Sequence, residues 1–456
     1  MSHSQIEPEN RELPLNQPNN WQVKFPRYMV ELPEDVNDIS ITYIGIQPRH
    51  EENPAKGIHT ELHAHVTSAV QRKVVAEIED RIGEGSGELA PILWEKMYVE
   101  AGYDLPDTEI YICYWTDEDA AAAATKSLNL QQLYKSLCPS EQEVVALWRE
   151  SFSVPKTRIE TVYSGNDYQP GIASVPGATQ IGHKFTGYWG AARDRLPASS
   201  HDLFEPEYKL STPNFEKDTK GRVIEGENKV SVAHIRSGQF WERCKDDERE
   251  AYESTLEPIL REGMTFLEEN AEDTGDIGLR FSRHMVTNRL LQAEEAKKMA
   301  ALNGNGNGVI NRLANVVKSY TGYFNGTNGT NGTNGNGING INGTNGVNET
   351  NGHSSNDDSQ VSNAEKFGLT VTNDRRRFET CSSGFFRSLK DIEAWSSKHK
   401  THHKIFHGAH AHSTKFGKTT FKFRSWHEMS TLKPGEVTFE YINCHPRTGL
   451  IPFFDV

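Results

Sequence analysis

A histidine-rich stretch near the C-terminus, residues 385–427, constrains the fold more than any other part of this 456-residue chain. Ser388, followed three residues later by Asp391, matches the capping pattern of a helix N-terminus. Behind this cap, one helical face is shared by Leu389, Ile392, Trp395, His399 and Phe406. After the turn-like run HGAHAHS, apolar and charged residues alternate over 419–427. The stretch therefore predicts a helix, a turn and a half-buried strand.

The same stretch holds seven of the chain's 18 histidines. His402 and His403 fall on the two edges of the helical face, and His427 points the same way along the strand as Phe421 and Phe423. A helix histidine and a strand histidine suit a pocket with a group bound between them. Histidines on apolar faces are more often hydrogen-bonded core residues, however, and clustered histidines are also typical of solvated loops or loose divalent-metal sites. A zinc site is disfavoured, because no cysteine lies near these histidines at ligand spacing.

Strand and helix patterns alternate in the first third of the chain and again after residue 230. In the first part we expect strands over 39–47 and 109–115, and helices over 59–82, 117–126 (capped by Thr116) and from Ser140 to about Phe152. In the second part we expect strands over 232–241, 278–285, 375–386 and 436–444, and a helix over about 246–272. Two such units predict an α+β fold with two antiparallel sheets packed together and helices outside.

The composition excludes several classes of protein. The formal net charge is −14, which argues against non-specific nucleic-acid binding. The five cysteines are scattered and form no metal or redox motif, so free thiols in a reducing compartment are expected. The first 20 residues lack the apolar core of a signal peptide, and no run approaches the ~18 apolar residues of a membrane span. We therefore expect a soluble cytoplasmic protein with no membrane partner.

One tract breaks this globular pattern. Residues 303–363 are low-complexity Asn/Gly sequence with very few apolar side chains, which cannot offset the entropy of ordering. The expected organisation is a disordered N-terminal arm over 1–20, a first part of the α+β domain over 21–300, a disordered insertion over 301–365 and a second part over 366–456. The insertion is expected at the tip of a hairpin, where loop-closure entropy grows slowly with length.

The middle of the chain carries further polar candidates. Glu160 lies in a predicted strand over 156–164, and residues 183–197 are expected to form a strand that rises into an arginine-rich turn with Arg193 and Arg195. Ser237 lies at the end of the predicted strand over 232–241. Taken alone, the arginines are typical of a solvated, salt-bridged turn, and Ser237 is typical of an ordinary turn hydroxyl.

Together these segments resemble the haem-containing aldoxime dehydratases. The resemblance rests on the runs GFFRSLKDIEAW, KTHHKIF, RSWHEMS and EYINCHPRTGLIPF, and on the earlier runs GYWGAARDR and RSGQ. It implies that His402, rather than His403, is the proximal iron ligand and that His427 is the distal acid–base group. It further implies that Ser237 holds the oxime hydroxyl, supported by Glu160 and by Arg195 or Arg193, since alternate residues of extended chain share a face.

The resemblance also implies a fold and an activity. The expected fold is the ferredoxin-like, dimeric α+β-barrel type, with haem held in one of two related units, in a homodimer. The expected reaction is dehydration of a small-molecule aldoxime to a nitrile on ferrous haem b. No C-x-x-C-H run is present for covalent haem attachment. With Phe421, Phe423 and Trp426 as walls or core, aryl-alkyl aldoximes are the expected substrates. Alternatives are a haem peroxidase-like or chlorite-decomposing enzyme, a non-catalytic haem sensor and a non-haem divalent-metal binder.

Overall fold

The computed structural model describes residues 11–49, 60–210, 212–285, 376–417 and 420–454. The insertion predicted over 301–365 and the first ten residues lie outside this part. Within these ranges, thirteen strands form one antiparallel sheet: β1 (Tyr28–Glu31), β2 (Asp38–Pro48), β3 (Leu93–Gly102), β4 (Glu109–Trp115), β5 (Val145–Pro155), β6 (Ile159–Tyr163), β7 (Thr179–Gly182), β8 (Val223–Glu227), β9 (Val232–Phe240), β10 (Asp276–Met285), β11 (Arg376–Phe386), β12 (Arg424–Leu432) and β13 (Val437–Ile442).

The described α-helices are α1 (Thr60–Ile82), α2 (Glu118–Leu128), α3 (Leu130–Ser136), α4 (Pro139–Gln142), α5 (Ala191–Arg195), α6 (Asp246–Ala251), α7 (Glu257–Glu269), α8 (Ala271–Thr274), α9 (Leu389–Lys398) and α10 (Lys400–Lys415). A π-helical turn, Tyr252–Leu256, joins α6 to α7, so the helix predicted over 246–272 is broadly confirmed. Among the described helices, none combines the length and apolar character needed to cross a membrane.

Two units with the same strand order make up most of the sheet. In the first unit, β2, α1, β3, β4, α2–α4 and β5 follow in sequence, and the strands lie in the order β3-β4-β2-β5. In the second unit, β9, α6–α7, β10, β11, α9–α10 and β12 follow in sequence, and the strands lie in the order β10-β11-β9-β12. Both are the βαββαβ arrangement of ferredoxin-like folds. The prediction of two related α+β units is thus confirmed.

The prediction of two separate sheets is wrong, because the units share an edge. Strand β3 of the first unit pairs with β10 of the second, which satisfies backbone groups that would otherwise form two open edges. The faces away from the helices nevertheless pack on each other in one core, where Phe152 meets Phe385 with ring centroids 6.0 Å apart and Tyr43 meets His234 at 5.4 Å. The sheet therefore curls around its own core with helices outside.

The helix predicted from Ser140 to Phe152 is also wrong. The capping residues there are Cys138 and Glu141, whose carboxylate accepts the Cys138 N–H at 2.8 Å, and they start only the four-residue α4. The chain then enters β5, which pairs along its length with β2. Sheet pairing and burial thus override a local helix signal. The cap of α2 is Asp117 rather than Thr116, since its side chain accepts the Ala120 N–H.

The histidine-rich stretch differs from the prediction in two ways. The helix predicted from Ser388 breaks at His399, which has extended backbone and starts α10, and α10 continues through HGAHAHS to Lys415. The strand begins at Arg424, not 419, because one oxygen of Glu248 accepts the N–H groups of Lys422 (2.7 Å) and Phe423 (2.8 Å) in place of strand partners. The strand predicted to open the range 183–197 is wrong, since β7 ends at Gly182, and the predicted arginine-rich turn is the short helix α5.

Residues 11–20 also depart from the expected disordered arm. Leu13 N–H donates to the Ser200 carbonyl at 2.9 Å, and Asn16 and Gln17 bind the Asp194 carboxylate. This part of the chain is ordered because the segment carrying α5 supplies its hydrogen-bond partners.

Candidate active site

Three adjacent strands bring the predicted catalytic residues together. On β12, His427 lies directly opposite Ser237 of β9 and Val162 of β6, and Glu160 lies opposite Met429, the next residue on the same face. Because alternate strand residues share a face, Glu160, His427 and Ser237 all project from one side. On that side Met429 packs with residues of α7 and α9, so the site is on the helix-covered face of the second unit.

Glu160, His427 and Arg195 form a compact ionic cluster. His427 Nε2 lies 3.0 and 3.1 Å from the two Glu160 oxygens, and Arg195 forms a salt bridge with the same carboxylate. Arg195 Nη2 is 3.5 Å from His427 Nε2, and Arg195 Nη1 donates to the Phe185 carbonyl at 2.7 Å. Since an ionised carboxylate only accepts, Nε2 of His427 carries the hydrogen in this contact, and the other ring nitrogen is left to exchange a proton with a bound molecule.

The cluster keeps Glu160 ionised although its side chain is fully buried. Burial alone raises the pKa of Glu160, but the charges and hydrogen bonds of Arg195 and His427 outweigh burial, so the net pKa is lowered. The His427 side chain is 27% exposed, enough for a small molecule to reach the imidazole. An oriented imidazole with a buried anion behind it is suited to acid–base chemistry.

Ser237 completes this face. Its Oγ donates to the Trp426 carbonyl at 3.3 Å, a long contact that a stronger acceptor can replace. The side chain is half-buried beside His427. The hydroxyl is thus placed to bind the same small molecule as the imidazole.

The two rival arginines have different partners. Arg193 points to α9, where its Nη2 lies 2.6 Å from Glu393, and it also donates to the Leu203 carbonyl. Arg195, not Arg193, reaches Glu160 and His427. The argument that alternate residues share a face fails here because the segment is helical, and residues two apart on a helix point in different directions.

His402 and His403 lie side by side on α10 but differ in environment. His403 Nε2 is 2.9 Å from the Ser397 carbonyl, and its ring stacks on Trp189 at 5.4 Å. Nδ1 of His402 is buried with no hydrogen-bond partner among the described residues, and its ring contacts Trp395 at 4.8 Å.

Burial lowers the pKa of His402 to about 4. His402 is therefore neutral at physiological pH. Neutral imidazole is the form that ligates haem iron. The unpartnered ring nitrogen, the neutral imidazole and the aromatic surroundings of His402 fit a haem site.

The other histidines of the stretch have separate partners. His412 Nε2 lies 3.4 Å from Glu248, His410 packs on Phe25 with centroids 4.8 Å apart, and His399 Nδ1 contacts Thr401. Within the described ranges, no three or more His, Cys, Asp or Glu side chains are grouped so as to hold a metal ion. The alternative of a divalent-metal site built from clustered histidines therefore has no support in this part of the chain.

The aromatic residues offered as pocket walls or core are core. Phe421 and Phe423 pack with Trp241 and Tyr252 ahead of β12, and Trp426 stacks on Tyr163 on the opposite face from His427. They do not line the space beside His427. Sequence reasoning did not single out Trp189, half exposed beside His402 and His403, although it lies in the GYWG run.

The fold and the site define a class of haem-dependent enzyme. The sequence profile of the haem-containing dehydratases matches residues 42–327 and 339–450, and the chain belongs to that family.

Among its relatives, the chain is similar to the phenylacetaldoxime dehydratase of Bacillus sp. (strain OxB-1), with 22% identity over 443 residues that span 97% of this chain and 95% of the relative. It is 24% identical over 442 residues to the aliphatic aldoxime dehydratase of Pseudomonas chlororaphis, spanning 97% of this chain and 94% of that protein. In fold it is similar to an aldoxime dehydratase crystallised with butyraldoxime, with a TM-score of 0.65, 20% identity, and coverage of 98% of this chain and 94% of the other.

Proposed function

We propose that this protein dehydrates aldoximes to nitriles with haem b bound through His402. The observation that carries the proposal is the cluster of His427, Glu160, Arg195 and Ser237 on one sheet face. Trp395 of α9 packs in the core cluster that contains Met429 of this face, and the ring of the neutral His402 contacts Trp395 at 4.8 Å. The relatives named as aldoxime dehydratases support this reaction. The net reaction is R–CH=N–OH giving R–C≡N and water.

The residues have distinct roles in this reaction. Haem held by His402, with its iron ferrous, would supply a metal centre able to bind the oxime nitrogen and weaken the N–O bond. Ser237 hydrogen-bonds the oxime hydroxyl and orients its oxygen toward His427. Protonated His427 donates to that oxygen as the N–O bond breaks and water leaves. The neutral imidazole is then the base for the hydrogen on the oxime carbon, which leaves as a proton as the C≡N bond forms.

Glu160 and Arg195 act through His427. The ionised Glu160 carboxylate fixes the ring by accepting its Nε2 hydrogen and stabilises the imidazolium form that donates the proton. Arg195 neutralises Glu160 and, through the Phe185 carbonyl, ties it to the neighbouring segment. Their shared burial keeps these interactions stronger than they are in water.

We also propose a homodimer in a reducing, cytoplasmic compartment. The five free cysteines, four of them buried, support the choice of compartment. The dimer rests on the family resemblance, and sedimentation of the haem-loaded protein tests it.

Absorption spectroscopy combined with nitrile assay tests the proposed function. Haem-reconstituted protein, reduced without oxygen, is mixed with phenylacetaldoxime or with butyraldoxime. We expect a Soret band that shifts with the aldoxime and formation of the matching nitrile. The His402→Ala variant should lose the band, and His403→Ala and the exposed-site control His407→Ala should keep it.

Each contrary result identifies what is wrong. A wild-type protein with no Soret band after reconstitution contradicts haem binding. A band without nitrile contradicts the reaction. Loss of the band in His403→Ala but not in His402→Ala overturns the choice of iron ligand.

A further inference from the structure

An N-terminal segment, residues 11–25, lies along the loop that carries Arg195. Arg11 Nη2 donates to Ser199 Oγ at 3.1 Å, and the Leu13 N–H donates to the Ser200 carbonyl at 2.9 Å. Further along, Trp21 Nε1 donates to the Thr186 carbonyl at 2.9 Å. The contacts therefore fall on both sides of α5, the five-residue helix that ends at Arg195.

Asp194 is the centre of this interface, and its side chain is almost fully buried. One carboxylate oxygen accepts the backbone N–H (2.9 Å) and side-chain amide (3.0 Å) of Asn16. The other accepts the Gln17 N–H (2.9 Å) and the Tyr188 hydroxyl (2.8 Å). These four bonds use the hydrogen-bonding capacity of the carboxylate, and three come from the N-terminal segment. Asp194 precedes Arg195 directly, so its anchorage fixes the backbone from which Arg195 extends.

The local backbone is shaped for this contact. Gly190 caps α5 with φ of +88°, which favours glycine, and a Cβ there would come within 2.7 Å of the Asn16 side chain. A helix of five residues has little stability of its own. The position of Arg195 therefore depends on contacts outside α5, and the N-terminal segment supplies them.

The far end of the segment reaches the helix that carries His402. Phe25 packs edge-on against His410 of α10, with ring centroids 4.8 Å apart. The segment thus contacts both the α5 loop that supplies Arg195 and the helix of the iron-ligand candidate.

We propose that residues 11–25 are a positioning strap for the active site, with Asn16 and Asp194 as its positioning residues. The strap holds Arg195 against Glu160 and thereby holds Glu160 against His427. This inference rests on the proposed aldoxime dehydration. None of the strap residues is assigned a contact with substrate or haem.

The test compares three variants with matched controls. Asn16→Ala removes one hydrogen-bond donor to Asp194. Asp194→Asn weakens all four hydrogen bonds that the Asp194 carboxylate accepts, and a third variant lacks residues 1–17. The controls are Gln22→Ala, exposed within the strap, and Asp202→Asn, exposed on the same loop as Asp194. Each protein is loaded with haem and measured for its Soret band, thermal midpoint and kcat against pH.

We expect the Soret band to be retained and kcat to fall in the order Asn16→Ala, Asp194→Asn, truncation, by about 10- to 100-fold at the end of the series. The pH profile of kcat should shift, since His427 loses the fixed Glu160–Arg195 pair, whereas a purely structural segment changes the thermal midpoint alone. A peptide of residues 11–17 added in excess should restore part of the kcat of the truncated protein. The controls should match wild type.

Two results overturn the strap. One is a truncated or Asp194→Asn enzyme with wild-type kcat and pH profile. The other is a loss of activity in Asn16→Ala that merely parallels loss of folded protein. A wild type that makes no nitrile contradicts the proposed function instead, so the two failures are distinguishable.

Discussion

The two βαββαβ units share a strand order but differ in the faces that their helices cover. In the first unit, Ile46 of β2 lies opposite Leu147 of β5, and both pack under Val74 and Ile78 of α1 in a continuous apolar layer. At the corresponding strands of the second unit, Ser237 of β9 lies opposite His427 of β12. The same topology therefore carries a closed apolar layer in the first unit. In the second unit it carries a row of candidate catalytic residues that includes Ser237 and His427, which we call the reactive row.

The helices differ in the same sense. In the first unit, β2 and β3 are joined by a single helix of 23 residues, α1. In the second unit the corresponding helix contains a π-turn at Tyr252–Leu256. Such irregularities often accompany functional sites. We infer that the first unit contributes mainly stability and that the second, with its polar and less complete packing, holds the proposed active site.

The largest effect is expected from His427→Ala. Loss of the proposed acid–base group should lower kcat by about 10²- to 10⁴-fold. The free energy of unfolding should change by no more than about 1 kcal/mol, because the ring is partly exposed and contributes little packing. Stopped-flow nitrile formation and urea unfolding of haem-loaded protein check the two quantities. A strongly destabilised variant would show that the row also carries the stability of the second unit.

Glu160→Gln should have the next largest effect, a loss of unfolding free energy that depends on pH. It leaves Arg195 buried without its anion, at a cost of about 3–5 kcal/mol. Because the folded pKa of Glu160 is lowered, its stabilisation is complete above the unfolded pKa of about 4.3 and is lost as pH falls through the folded value. The wild-type advantage should therefore shrink as the pH falls below about 4.3.

Urea unfolding across that pH range measures this advantage, with the exposed Glu34→Gln as control. An advantage of wild type over Glu160→Gln that grows as the pH falls below about 4.3 contradicts a lowered pKa.

Leu147→Ala probes the other unit. Leu147 is fully buried in the apolar layer, so its truncation should cost about 2–5 kcal/mol of unfolding free energy. Per folded molecule, the Soret band and kcat should match wild type, because the substitution lies in the unit without the reactive row. Calorimetry and activity normalised to folded haem protein check this. A change in kcat per folded molecule would show that the two units are coupled more tightly than their shared core suggests.

The sequence predicted the strands of both units more reliably than their junctions. Strand β4 is reproduced to the residue, and β2 within one residue at each end, because alternation and burial act together there. The helix from Ser140 failed since its capping signal is satisfied in a single turn before sheet pairing takes over. The start of β12 failed because Glu248, far away in sequence, replaces strand partners at Lys422 and Phe423. Such tertiary hydrogen bonds leave no local pattern.

The candidate site shows the same division. Motif resemblance placed Glu160, Ser237 and His427 together, and the structure brings them to one face. The motif resemblance could not choose between Arg193 and Arg195. That choice depends on the helical conformation of α5 and on the salt bridge that holds Arg193 to Glu393. The role of the N-terminal segment was equally hidden, since its polar composition resembles a disordered arm and its partner Asp194 lies almost 180 residues away.

Arg193→Ala should have the smallest effect and completes the comparison of sites within the second unit. Its ion pair with Glu393 joins the α5 loop to α9 and is partly exposed at Glu393, so its loss should cost about 1 kcal/mol of unfolding free energy. kcat should stay within about twofold of wild type, whereas Arg195→Ala should lower it at least tenfold by leaving Glu160 unpaired beside His427. Parallel measurement of kcat and urea midpoints for both variants checks this. If Arg193→Ala loses as much activity as Arg195→Ala, then α9 and the α5 loop act on His427 as one body, and the boundary drawn here between anchoring and reactive residues is wrong.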